Sequence, residues 1–361
     1  MGIHLFTGFP GFLANQLIRQ LFRDGVTKQI YAIVLQSEME KAKNEAINIK
    51  KEQPHCQIEL LEGDITLPNL GIAKAELETV VPRVQFVWHL AAIYDLAVSR
   101  KLAWKVNVHG TTIVNDFVRS LPNLKRYIFF STAYVAGRRN GRLLETELIR
   151  PHTFKNYYEE TKFEAELRVE DLKSEVPLTI LRPGIVCGHS ETGKIIKFDG
   201  IYFFLNLIAS LSRGPSIPFI GSKEATINVV PIDYICKAAS YLCTVAEAEG
   251  KTLHLTDPKP YKVYDVYSMM VKEMTGKKPI GHIPLSLTKR LLANYSIRKR
   301  LGVEYETIEY LAWTAEFDVT QAQAILHKGG IICPDFLDTL PNIVKFYKEN
   351  RQRSELFISI K

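Results

Sequence analysis

The chain has 361 residues, 46% apolar and 24% charged, which excludes a disordered, collagen-like or disulfide-stapled polypeptide and leaves room for one large domain with a smaller appendage. Lys and Arg exceed Asp and Glu by 46 − 39 = +7; with no basic tract interleaved with aromatics, that excess suits phosphate-bearing ligands or acidic partners and not nucleic acid. Five scattered cysteines without C-x-x-C spacing, no basic-then-apolar leader and no run of about 18 apolar residues predict a reduced, cytoplasmic protein with no zinc site and no membrane-spanning helix.

The first 190 residues alternate short apolar runs with helical patterns. Ile3–Phe6 reads as a strand, Leu13–Phe22 as a helix, and Gln29–Leu35 as a strand followed by a charged helix through Lys51. Further strands are predicted at 57–61, 86–90, 126–130 and 178–181, with helices over 104–120 and 157–172. Strand and helix alternating at these spacings predict an α/β, Rossmann-like doubly wound parallel sheet. Past Gly193 the pattern changes. An apolar stretch (201–211), an extended run (228–232), a helix (233–245) and a last strand (252–256) precede a mostly helical tail. The expected organisation is a dinucleotide-binding domain over 1–190, with return elements at about 226–257, and a smaller, mostly helical substrate-binding cap from 191–225 and 258–361.

The first strand runs directly into Thr7-Gly8-Phe9-Pro10-Gly11-Phe12-Leu13-Ala14. Gly8 permits a tight turn, Gly11 lets backbone approach a pyrophosphate, and Ala14 lets the helix sit close to the sheet. The helix N-terminus adds N–H donors for the anion, although Pro10 removes one. At the end of the second strand, Ala32-Ile33-Val34-Leu35-Gln36-Ser37 carries no carboxylate for a ribose 2′-hydroxyl. That favours NADP(H) over NAD(H), with Gln36, Ser37 or Lys41 as partners for a 2′-phosphate.

Tyr158 and Lys162 stand four apart in a helical stretch and so share a face. A free phenol has a pKa of about 10, and a neighbouring ammonium lowers it toward a useful range for proton transfer. Ser131 and Thr132 follow a strand at its carboxyl end, where ligands bind in such sheets. Thr132 is placed to hold a substrate oxygen there.

Together these residues resemble the extended short-chain dehydrogenase/reductase family over nearly the whole chain. Matching pieces are the glycine loop, Gly63-Asp64-Ile65, His89-Leu90-Ala91-Ala92, Asn107-Val108-His109-Gly110-Thr111, Ser131-Thr132, Tyr158/Lys162 and Arg182-Pro183-Gly184. The resemblance implies that Asp64 and Ile65 contact adenine and that Ala91 and Ala92 line the cofactor channel. It also implies that Asn107 acts with the catalytic group, and that Pro183, Gly184 and Ile185 lie beside the nicotinamide, with Lys162 also binding the cofactor's ribose. Gly8-Phe9-Pro10-Gly11-Phe12-Leu13, Gly63-Asp64-Ile65-Thr66-Leu67-Pro68 and Ser131-Thr132-Ala133-Tyr134-Val135 are most similar to the branch reducing fatty acyl or carrier-bound thioesters. That branch usually carries Arg after the second strand, where this chain has Leu35. The implied partner is a small-molecule, coenzyme A-linked or carrier-linked acyl substrate, with peripheral membrane contact and homo-oligomerisation left open.

Other features have plainer readings. His89 is expected to be packed structure, Tyr157 packing, and Cys187 buried and not a nucleophile; no His, Asp or Cys set has metal-ligand spacing. The stretch with Tyr202, Phe203 and Phe204 is a substrate tunnel, core or a subunit interface. Lys289, Arg290, Arg298, Lys299 and Arg300 form either a solvated helix face or a dock for an acidic carrier, a coenzyme A phosphate or an anionic membrane. The competing functions are a nucleotide-sugar epimerase or dehydratase, a 3β-hydroxysteroid dehydrogenase-like enzyme, and a non-catalytic cofactor sensor.

Overall fold

Seven apolar runs become the strands of one parallel sheet in the computed structural model, which describes every residue except Met1, Arg213, Pro215, Ser359 and Lys361. They are β1 (Gly2–Thr7), β2 (Thr27–Val34), β3 (Gln57–Glu62), β4 (Phe86–His89), β5 (Arg126–Phe130), β6 (Leu178–Pro183) and β7 (Thr252–Leu255). Their spatial order is β3-β2-β1-β4-β5-β6-β7, and every neighbouring pair is parallel. The order reverses between β1 and β4, so the carboxyl ends of these two strands open the crevice where doubly wound sheets bind ligands.

The helices are α1 (Phe12–Arg23), α2 (Met39–Glu52), α3 (Lys74–Val80), α4 (Gly110–Arg119), α5 (Tyr157–Glu170), α6 (Tyr202–Leu211) and α7 (Ile232–Leu242). Then come α8 (Val263–Thr275), α9 (Leu285–Leu292), α10 (Tyr295–Leu301), α11 (Thr320–Leu326) and α12 (Phe336–Asn350). One face of the sheet packs Phe6, Trp88, Ile128 and Phe130 against Leu17, Ile18 and Leu21 of α1 and Ile235, Ala239 and Leu242 of α7. The other packs Leu5, Val87, Tyr127 and Phe129 against Val114 and Phe117 of α4 and Ala165 and Val169 of α5. Both faces being covered explains why the central strands β1, β4, β5 and β6 read as continuous apolar runs, whereas the edge strand β3, with Gln57, Glu59 and Glu62 exposed, alternates.

The helix expected over 104–120 differs in its first turns. It starts at Arg100–Ala103, widens into a π-helical stretch over Trp104–His109, and only then continues as α4. Gly110 lets this rod touch Ile65, since a Cβ there would lie 2.8 Å from the Ile65 Cδ1.

A second core joins α6, α8 and α12, with Tyr202, Phe204, Leu205 and Ile208 against Tyr267, Met270, Phe336, Leu340, Ile343 and Tyr347. Tyr202, Phe203 and Phe204 are therefore buried in the cap's own interior. Of the readings of this stretch, core packing is the one these three side chains display. The tail does not stay in the cap throughout: Ala322, Ile325 and Leu326 of α11 return to the sheet's core. The short strand Ala315–Phe317 pairs with Gly141–Leu143 beside it. Among the described residues no helix is long and apolar enough to cross a membrane.

Candidate active site

The glycine loop closes against β4. Gly8 has φ +93°, and a Cβ on it would lie 2.8 Å from the Ala91 nitrogen; one on Gly11 would lie 2.7 Å from the Gly8 carbonyl oxygen. Only glycine fits both positions. Thr7 ends β1 fully buried, Pro10 is buried, and Phe12 and Leu13 are half-buried in the first turn of α1. That helix begins at an exposed Gly11 with no side-chain cap and no acid in its first turn. Its leading N–H groups are left for a ligand, as a pyrophosphate needs. The loop therefore fits a dinucleotide.

Around this loop lie the other residues expected to bind the cofactor. Gln36 and Ser37 sit exposed in a single turn after β2. Asp64 Oδ1 accepts from the Thr66 nitrogen at 2.8 Å, and its own N–H donates to the Leu70 carbonyl at 2.8 Å. This shapes the turn beyond β3 and buries Ile65 beneath Gly110. Ala91 and Ala92 are half-buried beyond β4. Pro183 ends β6; the Gly184 nitrogen donates to Leu255 at 3.2 Å and the Ile185 nitrogen to Asn228 at 2.9 Å. Gly184 has no room for a side chain, because a Cβ would meet the Asn228 Oδ1 at 2.9 Å.

Beneath the loop runs a closed hydrogen-bond relay. Thr111 donates its hydroxyl proton to the Asn107 carbonyl at 2.6 Å, so it accepts from His89 Nε2 at 3.0 Å. His89 Nδ1 then accepts from Thr7 Oγ1 at 2.8 Å, and Thr7 Oγ1 accepts from the Ala91 nitrogen at 3.2 Å. Burial pushes the imidazole down to about 3, which keeps it neutral, and the Thr111 bond to Asn107 fixes this tautomer. His89 is thus a bridge linking the ends of β1 and β4 to the rod above them.

The rod carries the tie onward. Asn107 Oδ1 accepts from the Ile93 nitrogen at 2.8 Å; its Nδ2 donates to the Ile93 carbonyl at 3.0 Å and to Thr161 Oγ1 at 3.0 Å. Both ends of its amide are engaged with the Ile93 loop and α5, which ties these two segments together. The π-helical turn around it is the physical reason, because the extra residue per turn rotates its side chain toward α5.

α5 starts with Asn156 capping the Glu159 nitrogen at 2.9 Å. From there Tyr158, Lys162 and Glu166 follow at four-residue steps along one face. Tyr158 is half-buried, and its phenol lies beside Thr132, whose hydroxyl accepts from the Tyr134 nitrogen at 3.3 Å. Burial pushes the phenol up to about 12, the neighbouring Thr132 opposes the rise, and the charges of Glu159 and Tyr94 add to it. Lys162 Nζ donates to the Phe130 carbonyl at 2.7 Å and lies 4.4 Å from the Phe129 ring centre. Burial pushes this ammonium down to about 8, and Glu166 pulls the other way. The ammonium is directed at a backbone carbonyl, and at Tyr158 burial outweighs the effects that lower the phenol. At neutral pH the phenol is protonated.

Behind these groups stands a network that sequence reasoning missed. Ser131 donates to Glu166, which receives Arg182 Nε at 2.8 Å; Arg182 also reaches the Glu147 carbonyl at 2.9 Å and His254 Nε2 at 3.3 Å. His254 Nδ1 donates in turn to the Asp318 carbonyl at 2.6 Å. All of these side chains except Asp318 and Glu147 are buried. The four-residue step from Lys162 to Glu166 and the Arg182-Pro183-Gly184 run were the available signals. Tyr157 is exposed and Cys187 is buried. Among the described residues no group of three or more His, Cys, Asp or Glu is placed to hold a metal.

The profile of the male sterility protein family, an NAD-binding domain, matches residues 6–239. A curated Drosophila melanogaster protein, fatty acyl-CoA reductase wat, is 28% identical over 268 residues, 64% of this chain and 52% of that protein. Xenopus laevis fatty acyl-CoA reductase 1 is 24% identical over 271 residues, with the same two coverages of 64% and 52%. The chain thus spans about half the length of these relatives. Among solved structures, the terminal R domain of the myxalamid PKS-NRPS pathway superposes with a TM-score of 0.81 at 21% identity, covering 98% of this chain and 92% of that one. The UDP-glucuronic acid 4-epimerase of Bacillus cereus, in complex with NAD, gives 0.67 at 16% identity, covering 98% and 99%.

Proposed function

The chain belongs to the male sterility protein family, within the extended short-chain dehydrogenase/reductases, and from that premise we propose that it reduces an apolar acyl thioester or aldehyde with NADP(H). The observation that carries this reading is Tyr158 beside Thr132 at the carboxyl edge of the sheet, one helical turn from Lys162.

When bound, the nicotinamide supplies a hydride. The chain's own groups handle the oxygen and the proton. Thr132 fixes the position of a carbonyl oxygen by hydrogen bonding. Tyr158, held as the neutral phenol, donates its proton to that oxygen as negative charge develops there. This protonation state suits reduction. Lys162 keeps a positive charge beneath the phenol below about pH 8 and so stabilises the phenolate left behind. Arg182, Glu166 and Ser131 hold the strand end that presents Thr132.

The thioester substrate class is supported by the named activities of the relatives, fatty acyl-CoA reductases. The choice of NADP(H) rests on Gln36 and Ser37 being exposed after β2 with no carboxylate at Leu35. The test is oxidation of reduced nicotinamide by the purified protein with acyl-CoA thioesters and aldehydes of graded length, and with nucleotide sugars and 3β-hydroxysteroids in parallel. Consumption with long acyl chains and NADPH is expected. Turnover of a sugar or steroid alone, or nucleotide binding without turnover of any substrate, would overturn the proposal.

A further inference from the structure

The positive charge of this chain has an address. The 27 residues from Lys277 to Val303 hold Lys277, Lys278, Lys289, Arg290, Arg298, Lys299 and Arg300 and no acid. These seven cations equal the net charge of the whole chain, +7, so the remaining residues balance at 39 of each sign. The segment is a surface hairpin comprising α9 and α10. It is pinned to the cap from below: Asn206 of α6 donates to the Gly302 carbonyl at 2.9 Å, and Leu292 and Val303 enter the cap core.

Two of the seven cations serve the fold. Lys289 pairs with Glu309 at 2.7 Å, and Arg298 donates to the Leu292 carbonyl at 2.8 Å. Lys277, Lys278, Arg290, Lys299 and Arg300 are exposed, with no ion pair among the described residues. Between them the hairpin exposes large apolar groups: Leu287 at 47% and Leu291 at 42%, one turn apart on α9, then Tyr295 at 48% at the start of α10, and Ile280 at 67% just before them. Leu287 and Leu291 share a face, and Arg290 and Lys299 stand within four residues of Leu291 and Tyr295.

We propose that this hairpin docks the protein on an anionic lipid surface, with Leu287, Leu291 and Tyr295 entering the acyl–headgroup boundary and the five unpaired cations meeting acidic headgroups. Cations interspersed with exposed leucines and a tyrosine are the composition of interfacial anchors. A purely electrostatic partner, such as an acidic protein, would use the cations and leave the leucines unexplained. The inference goes beyond the reductase reading and does not depend on it.

The experiment is cosedimentation of the full chain, without nucleotide or substrate, with vesicles of phosphatidylcholine alone and with a quarter phosphatidylserine. Binding to the anionic vesicles only, weakening as salt is raised, is the expected result. The triple variant Arg290→Glu/Lys299→Glu/Arg300→Glu should bind about 100-fold more weakly, at roughly fivefold for each cation lost. Leu287→Ser/Leu291→Ser should weaken binding about tenfold at low salt. Both variants should keep the unfolding midpoint and nucleotide affinity of the parent, because all five side chains are exposed. Failure of the parent to bind anionic vesicles, or serine variants that bind like the parent, would overturn the proposal. The second result would point instead to an acidic protein partner.

Discussion

The edge of the sheet and the interior of the cap are buried to similar degrees by opposite means. At the sheet edge Thr7, His89, Asn107, Thr111, Ser131, Thr132, Lys162, Glu166, Arg182 and His254 are all under 9% exposed, and their polar atoms find partners in chains of hydrogen bonds. In the cap, α6, α8 and α12 bury mainly aromatic and aliphatic groups, with scattered polar ties such as Asn206 accepting from Tyr347 and Tyr267 donating to the Pro218 carbonyl, each at 2.9 Å. Polar burial costs stability unless every group is satisfied, but it holds side chains within tenths of an ångström. Apolar burial stabilises without directing any particular atom. The contrast separates a region built for positioning from one built for shape and surface.

Four changes sharpen or break that contrast. The largest effect is expected for Tyr158→Phe, which keeps the ring and removes the proton donor. Turnover should fall about 10²–10⁴-fold, with nucleotide affinity unchanged by equilibrium titration. A drop in affinity as large as the drop in rate would show that the ring, and not the hydroxyl, matters.

Acid should unfold the chain through its neutral histidines. Burial pushes His4, His89 and His254 each down to about 3 from 6.5. The unfolded chain therefore binds more protons than the native one between these values, and native stability is lost as pH falls below 6.5. Three such groups lower stability by about 4 kcal/mol between pH 7 and 5.5. Urea denaturation at the two pH values measures this; equal midpoints would contradict the buried-neutral assignment.

The cap should respond to lost volume alone. Leu205→Ala, at a fully buried position of α6, should cost about 2–5 kcal/mol. At temperatures where the variant stays folded it should leave nucleotide affinity at the parental value. An equal loss of nucleotide affinity would mean that the two regions act as one unit. A smaller effect concerns Lys162, whose ammonium titrates near 8. The kcat/KM for reduction should be level below that pH and fall about tenfold per unit above it, and Lys162→Arg should move the fall to higher pH.

The legible parts of this molecule were those encoded by near neighbours in the chain. Gly8 and Gly11 announce their turn because backbone geometry is set within a few residues. Tyr158 and Lys162 announce a shared face through helical spacing, and the central strands through continuous apolar runs. What stayed hidden depends on partners far apart. Glu166 meets Arg182 and Ser131 across 16 and 35 positions, and Arg182 meets His254 across 72. The Asn107 ties to Ile93 and Thr161 stayed hidden because a π-helical turn shifts faces in a way that no periodicity in the chain reveals. The Lys162 ammonium turned to Phe130 O because a buried cation takes the nearest acceptor, which sequence spacing does not show. The acid-free stretch from Lys277 to Val303 was visible only in part, as five cations, until exposure set the leucines beside them.

The central claim is that Tyr158 and Thr132 face the reactive edge of a nicotinamide. A crystal structure of the chain with NADP+ tests it most directly. The pyridine ring is expected beside Pro183 and Gly184, with the pyrophosphate on the Gly11 end of α1 and space for a carbonyl carbon roughly 3–3.5 Å from the ring's reactive carbon within hydrogen-bond reach of Tyr158. A nucleotide bound elsewhere, or a Tyr158 hydroxyl turned away from the ring, would contradict the account.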